Sequence, residues 1–302
     1  MEMQGIVRDG KLISQDEWNK HINGLKTDKT EKGKERCKNL VMKSLIRSIK
    51  KRASTLVEFG ILFSAGIDSL IIALLCKQLG YNFKCYAVGM ENSEDIEYAK
   101  KVADSININL KTKTIKIDEV EKLLRKVIKI TEKGDVVNAG VGCVVYAAIE
   151  LAKKDNAFFV LTGIGADELF AGYARFEKSK DIKKECISSI KNIYKDMERD
   201  FLIAKEMKAS ILTPFMDEGV IKAAMQIPPG YKIKNNVRKY ILREIAVDLG
   251  LPREFAFRKK TAAQYGSRVD KAISKLAKKN NFKYKKDYLK SLSQMELNNI
   301  SV

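Results

Sequence analysis

The sequence predicts an α/β fold: a parallel sheet with helices on both faces, followed by a mainly helical second half. Two observations carry this. Between residues 57 and 161, short apolar runs of strand length alternate with stretches of helical spacing. Such alternation gives parallel strands joined by helical crossovers. After Gly172 the helical spacing continues, but no strong strand pattern appears.

Taken in order, residues 1–30 read as a polar lead-in. Residues 31–52 form an amphipathic helix, with Cys37, Leu40, Val41, Leu45 and Ile49 at helical spacing. Residues 57–63 read as a buried strand, 64–69 as a loop, and 70–76 as a helix ended by Gly80. Strands at 83–88 and 110–117 alternate with helices at 95–106, starting near Ser93, and 120–130. A helix at 140–152 leads into a strand at 158–161. Residues 180–208, 217–226 and 237–249 then read as helices, and 270–290 as a Lys-rich amphipathic helix or tail. The expected organisation is a lead-in and helix over 1–55, then one continuous domain over 56–302.

Composition narrows the chemistry. Of 302 residues, 45% are hydrophobic and 31% charged, as in folded proteins. No apolar run approaches the roughly 20 residues that span a bilayer. The first residues lack the apolar core of a signal peptide, so a cytoplasmic chain without a membrane partner is expected. The five cysteines, at 37, 76, 85, 143 and 186, are odd in number and contain no CxxC pair. That argues against a disulfide framework or a Cys-rich metal centre and leaves Cys76 and Cys143 as core residues. His21 is the only histidine, which disfavours His-based metal sites and Ser-His-Asp catalysis. It is expected to be solvated in the lead-in. The net charge of +19 favours anionic partners, nucleotides or nucleic acid.

Two loops carry candidate chemistry. Ser64, Ala65, Gly66, Ile67, Asp68 and Ser69 join a buried strand to a helix start, where open α/β sheets bind phosphates. Gly66 lets the backbone approach an anion, and Ser64 and Ser69 can donate hydrogen bonds. Asp68 suits a magnesium ion beside the phosphate. Walker A spacing is absent, and a capped helix start is the plainer reading. Thr162, Gly163, Ile164, Gly165, Ala166, Asp167 and Glu168 follow the strand at 158–161 in the same way. Alone, acids at a helix start are ordinary. Together, Asp68 and Asp167 would meet in one crevice, and two carboxylates facing a polyphosphate call for a metal between them.

These segments resemble those of a known family. LFSAGIDS at 62–69 is similar to the SGGxDS pyrophosphate loop of N-type ATP pyrophosphatases. LTGIGADELFAGY at 161–173 is similar to the SGEGSDELFGGY segment of asparagine synthetases and beta-lactam synthetases. CYAVGM at 85–90 with Ser93, Glu94 and Asp95 resembles their adenine-contacting strand and turn, and TPFMD at 213–217 their PFLD motif. KYILRE at 239–244, Leu251-Pro252 and Arg258-Lys259-Lys260 follow in the family's order. The resemblance runs from about residue 56 to about 270. It implies an adenine nucleotide α-hydrolase-like fold and an AMP-forming ligase that uses ATP and Mg²⁺. In that reaction a small-molecule carboxylate attacks the α-phosphate, pyrophosphate leaves, and ammonia or an amine displaces AMP. It also implies nucleotide contacts from Leu62, Val88, Thr162, Gly163 and the 64–69 loop, metal ligation by Asp68 and Asp167, and catalysis by Lys260. Arg243 reads equally as a phosphate contact or a surface residue.

Three departures matter. Glu2 stands where the family's glutaminase nucleophile would follow the initiator, so ammonia, an amine, or a separate glutaminase subunit is the expected nitrogen source. Ile164 replaces the family glutamate on the nucleophile's side, which puts asparagine synthesis in doubt. TGIGADE, with the later KTAAQYGS, resembles a divergent asparagine-synthetase-domain branch. Ser210 and Leu212 stand where Glu and Arg are usual, which points to an altered substrate pocket. Rival readings are an RNA-modifying ATP pyrophosphatase, which the charge favours, and a nucleotide-binding protein without turnover. The aromatic and lysine residues at 282–288 suit single strands of nucleic acid or an ordinary surface helix.

The RxK register of the resemblance selects Lys260, not Lys259, as the cation where negative charge develops on the α-phosphate oxygens and the departing pyrophosphate. Lys260→Ala is expected to cut substrate-dependent pyrophosphate release about a hundredfold to a thousandfold while ATP still binds. Lys259→Ala is expected to be mild. Like behaviour of the two variants would make this stretch a basic surface.

Overall fold

The computed structural model describes residues 7–8, 11–258 and 266–298. Five strands form one parallel sheet: β1 (Phe59–Leu62), β2 (Phe83–Met90), β3 (Leu110–Ile115), β4 (Phe159–Leu161) and β5 (Ser210–Leu212). Their spatial order is β3-β2-β1-β4-β5. Ile61 in the central strand lies opposite Cys85 of β2 and Leu161 of β4. The chain therefore moves outward from β1 to β3, then returns to the other side of β1. The loops after β1 and β4 sit side by side at this reversal, where such sheets bind ligands.

The helices in chain order are α1 (Gln15–Gly24), α2 (Lys34–Ala53), α3 (Ile67–Gln78), α4 (Glu94–Ser105), α5 (Ile117–Thr131) and α6 (Val136–Lys153). After β4 come α7 (Ala166–Leu169), α8 (Ile182–Asn192) and α9 (Tyr194–Glu206). After β5 come α10 (Glu218–Gln226), α11 (Pro229–Lys232), α12 (Tyr240–Asp248) and α13 (Arg253–Ala256). The last two are α14 (Val269–Lys279) and α15 (Lys285–Asn298). Right-handed crossovers put α3 and α4 on one face of the sheet and α5 and α6 on the other. α12 packs on α3 and α2, whereas α9, α14 and α15 pack around α5 and α6.

Most expected elements are present, within a few residues. Four differ. Residues 15–24 are not a polar lead-in but helix α1, with a capping box of Ser14 and Glu17. Its two buried residues, Trp18 and Ile22, are too few to reveal a pattern by spacing. The Trp18 indole donates to the Ile190 carbonyl at 3.0 Å, and His21 stacks on Trp18 with ring centroids 5.8 Å apart. β5 appears where no strand was expected, because three residues carry no periodicity. The stretch 180–208 is two helices that break at Ile193. The last Lys-rich stretch is two helices, of which α14 buries Val269, Ala272, Ile273, Leu276 and Ala277.

α6 is long and apolar enough, by length and composition, to cross a membrane, but more than half of it is buried within the fold. The five cysteines are free and buried, and burial raises the thiol pKa values of Cys76 and Cys143. In the 282–288 stretch, Tyr288 is buried and packs on Phe282, leaving Tyr284 as the exposed ring.

Trp18→Ala removes a fully buried ring, so urea denaturation is expected to show a loss of about 3–5 kcal/mol. Glu17→Ala, which breaks the capping box without opening a buried cavity, is expected to cost less than about 2 kcal/mol.

Candidate nucleotide site

The loop after β1 turns through Ala65, whose φ of +51° is in the left-handed region. Gly66 caps α3. The Ser69 hydroxyl donates to the Gly66 carbonyl at 3.1 Å, and Gly66 N–H donates to Ser64 Oγ at 3.4 Å. Asp68, in the first turn of α3, is buried. After β4, Gly165 makes the left-handed turn that starts α7 and presents Asp167.

The two loops are joined by a lysine. Lys239 Nζ lies 2.8 Å from both carboxylate oxygens of Asp68 and 2.6 Å from Asp167 Oδ1. The Lys239 and Asp68 side chains are 4% and 6% exposed. Lys239 follows a two-residue ribbon, Ile233–Lys234 with Val237–Arg238, and has a φ of +54°. Two glycines permit this approach. A Cβ on Gly163 would lie 2.6 Å from Asp68 Cβ, and one on Gly172 would lie 1.8 Å from Asp167 Oδ1.

A cavity of about 360 Å³ opens over this cluster. Of the expected contacts, Leu62, Ser64, Asp68, Ser69, Val88, Thr162, Gly163 and Asp167 line it. Ala65, Gly66 and Ile67 face a smaller pocket beside it, with Asp95, Arg243 and Arg258. Arg243 is buried, and its guanidinium donates to the carbonyls of Arg238, Ala256 and Arg258 at 2.6–3.0 Å. It is therefore not a surface residue, and it ties α12 and α13 to the rim. Lys260 and Lys259 lie outside the described residues. Arg258, just before them, covers the Tyr98 ring at 3.6 Å.

Glu168 and Tyr173 also line the cavity, and the tyrosine hydroxyl donates to Glu168. Burial, then the adjacent Asp167 charge, pushes the Glu168 carboxyl up to about 7. Lys239, Glu168 and Tyr173 each lie within a family-like motif, but no local pattern shows that they meet.

The Asparagine synthase family model matches residues 40–213 and 211–286. This chain belongs to the asparagine synthase family. A Methanocaldococcus jannaschii protein named "Putative asparagine synthetase (glutamine-hydrolyzing) 1" is 37% identical over 295 residues, covering 85% of this chain and 54% of the relative. Human asparagine synthetase (glutamine-hydrolyzing) is 32% identical over 233 residues, covering 72% of this chain and 41% of that one. The chain thus spans about half the length of the curated relatives it matches. Among solved structures, NMN synthetase from Francisella tularensis aligns over 88% of this chain and 96% of that one, with 13% identity and a TM-score of 0.44. The family consists of ATP-dependent ligases of the asparagine synthetase type.

Glu168 gives the site a pH signature. Its folded pKa is above the ordinary 4.5. The folded chain therefore keeps a proton that the unfolded chain has lost between these values, and this contribution to stability falls as pH rises through that window. Glu168→Gln has no such proton. Urea denaturation of the metal-free chain is expected to show the variant gaining about 1–3 kcal/mol on wild type between pH 5 and pH 8. An unchanged difference would count against the buried carboxyl.

Proposed function

We propose that this chain is an AMP-forming carbon–nitrogen ligase that adenylates a small-molecule carboxylate and passes the acyl group to ammonia or an amine. The observation that carries this is the contact of Asp68, Asp167 and Lys239 at the sheet's reversal point, beneath a cavity lined by the 64–69 loop. Two hard carboxylates at one point suit Mg²⁺, which takes one or two protein carboxylates and completes its shell with phosphate oxygens and water. Among the described residues no larger group of acidic, histidine or cysteine ligands forms, which also fits a metal shared with a substrate. Asp68 and Asp167 would hold it, and it would neutralise phosphate charge.

The chain's own groups then divide the work. Ser64, Ser69 and the Gly66 amide cradle the terminal phosphates. Leu62, Val88, Thr162 and Gly163 contact the nucleoside. Lys239 supplies a buried cation beside the phosphates, and Lys260 a second near the α-phosphate. The substrate carboxylate adds to the α-phosphorus as pyrophosphate leaves, a step that depends on positioning and charge. Ile164 lines the cavity where the family's nucleophile-side glutamate would stand. That favours a product other than asparagine. The nitrogen is taken as ammonia, free or from a separate glutaminase subunit, or as an amine.

Titration calorimetry with a non-hydrolysable ATP analogue tests the site. Asp68→Asn and Asp167→Asn are each expected to weaken magnesium-dependent binding about tenfold or more. In each variant one carboxylate still partners Lys239, so the fold is kept. Wild-type chain with no magnesium-dependent heat would remove the site. Pyrophosphate release screened across carboxylic acids supports a ligase, release only with RNA indicates base modification, and no release indicates a binding protein.

A further inference from the structure

The cavity does not stop at the phosphate loop. It continues along α6 to α9, where its lining changes character. Val137, Val141 and Val144 recur at helical spacing on α6 and line this end with Ile164 and Ile193. Val137 is 55% exposed, and Val141, Val144 and Ile164 are only partly buried. They form an apolar wall of the cavity, not sealed core.

The polar part of this end is a built ion cluster. Arg199 is 3% exposed, and its Nε and Nη1 each donate at 2.7 Å, to Asp200 and Asp196 respectively. Gly142 lets α6 pack close on Val127, since a Cβ there would lie 2.5 Å from Val127 Cγ1, and Arg199 Cδ lies beside it at an ordinary contact distance. One guanidinium faces two carboxylates, of which burial raises the pKa of Asp200, so the cluster offers no unpaired cation and keeps the part-exposed Asp196 carboxylate toward the cavity. Arg199 is also the one cationic side chain among the described residues that line the cavity. A ligand carboxylate at this end would meet like charge and an apolar wall. An ammonium on an alkyl body would meet opposite charge and a matching surface.

We propose that this end of the cavity seats an aliphatic primary amine, with its ammonium toward Asp196 and Asp200 and its carbon chain along Val137, Val141 and Val144. This rests on the ligase reading and makes the compartment the seat of the nucleophile. In that role the amine, as its free base, adds to the acyl carbon. The carbon–oxygen bond to AMP breaks, and the electron pair leaves with AMP. The protons lost from nitrogen pass to Asp196, which is 43% exposed, and on to solvent.

The test uses n-butylamine, butyrate and ammonium chloride as probes, titrated against the chain with and without magnesium and a non-hydrolysable ATP analogue. Butylamine is expected to bind at least about tenfold more tightly than either other probe. Asp196→Asn and Val144→Asn are each expected to weaken it about fivefold or more while ATP-analogue affinity stays within about twofold. Asp196 is chosen over Asp200 because its part-exposed side chain can be neutralised without leaving a buried guanidinium short of charge. Butyrate or ammonium binding as tightly as butylamine, or butylamine binding that ignores both variants, would overturn the proposal. If the ATP analogue fails to bind, the ligase reading falls, and the titration without nucleotide still decides whether the compartment takes an amine.

Discussion

The ammonium of Lys239 holds the centre of this protein together. It is buried, and a buried charge is tolerated only when paired and hydrogen-bonded. Its partners, Asp68 and Asp167, come from loops about a hundred residues apart in the chain, and the lysine comes from a third segment. The order β3-β2-β1-β4-β5 makes this meeting possible, because it sets the ends of β1 and β4 side by side. Gly163 and Gly172 then bring the backbones within reach. Lys239 itself adopts a left-handed conformation as α12 begins, a local cost that the two ion pairs offset. Two carboxylates facing one ammonium leave the point short of positive charge, which is the electrostatic basis for proposing a further cation there.

Much of this is legible in the amino-acid sequence. The alternation of apolar runs and helical spacing gave the parallel sheet, because buried strands and amphipathic helices leave different periods in sequence. The glycine turn after each of two strands gave Asp68 and Asp167 as a pair. What was hidden depends on length or on distance. β5 has three residues, too few for a period. α1 buries Trp18 and Ile22 and no other residue of its own length, so its apolar face is narrower than a pattern search can see. Lys239 was visible as a motif letter, but no local rule says that a lysine beginning a helix reaches back 171 positions to a buried aspartate. Arg243 could be read as surface because its spacing from Lys239 is helical, whereas in the fold it is spent on three backbone carbonyls.

The substitution of isoleucine at position 164 takes on meaning only beside its neighbours. An apolar residue in place of a catalytic glutamate would by itself suggest a lost activity. Here Ile164 shares the cavity with valines of α6, so the change belongs to a wall and not to a single point. Asp68 and Asp167 still meet at Lys239. A site that had merely decayed would have no reason to keep Asp68, Asp167 and Lys239 in contact while its far wall became continuously apolar.

Charge shows the limit of composition as a guide. The chain carries +19 overall, which suggests that a nucleotide is drawn in by lysines. Yet the cavity's described lining contains Asp68, Asp95, Asp167, Glu168, Asp196 and Asp200 against the single cation Arg199. The basic excess therefore lies outside this lining. There, solvent and salt confine its field to about 10 Å, and it acts on the approach of anions more than on their seating. Seating is decided by a few buried groups whose sign is opposite to that of the whole. Net charge thus speaks to which molecules gather near this protein, and the placement of two aspartates, one lysine and one arginine speaks to which of them fit.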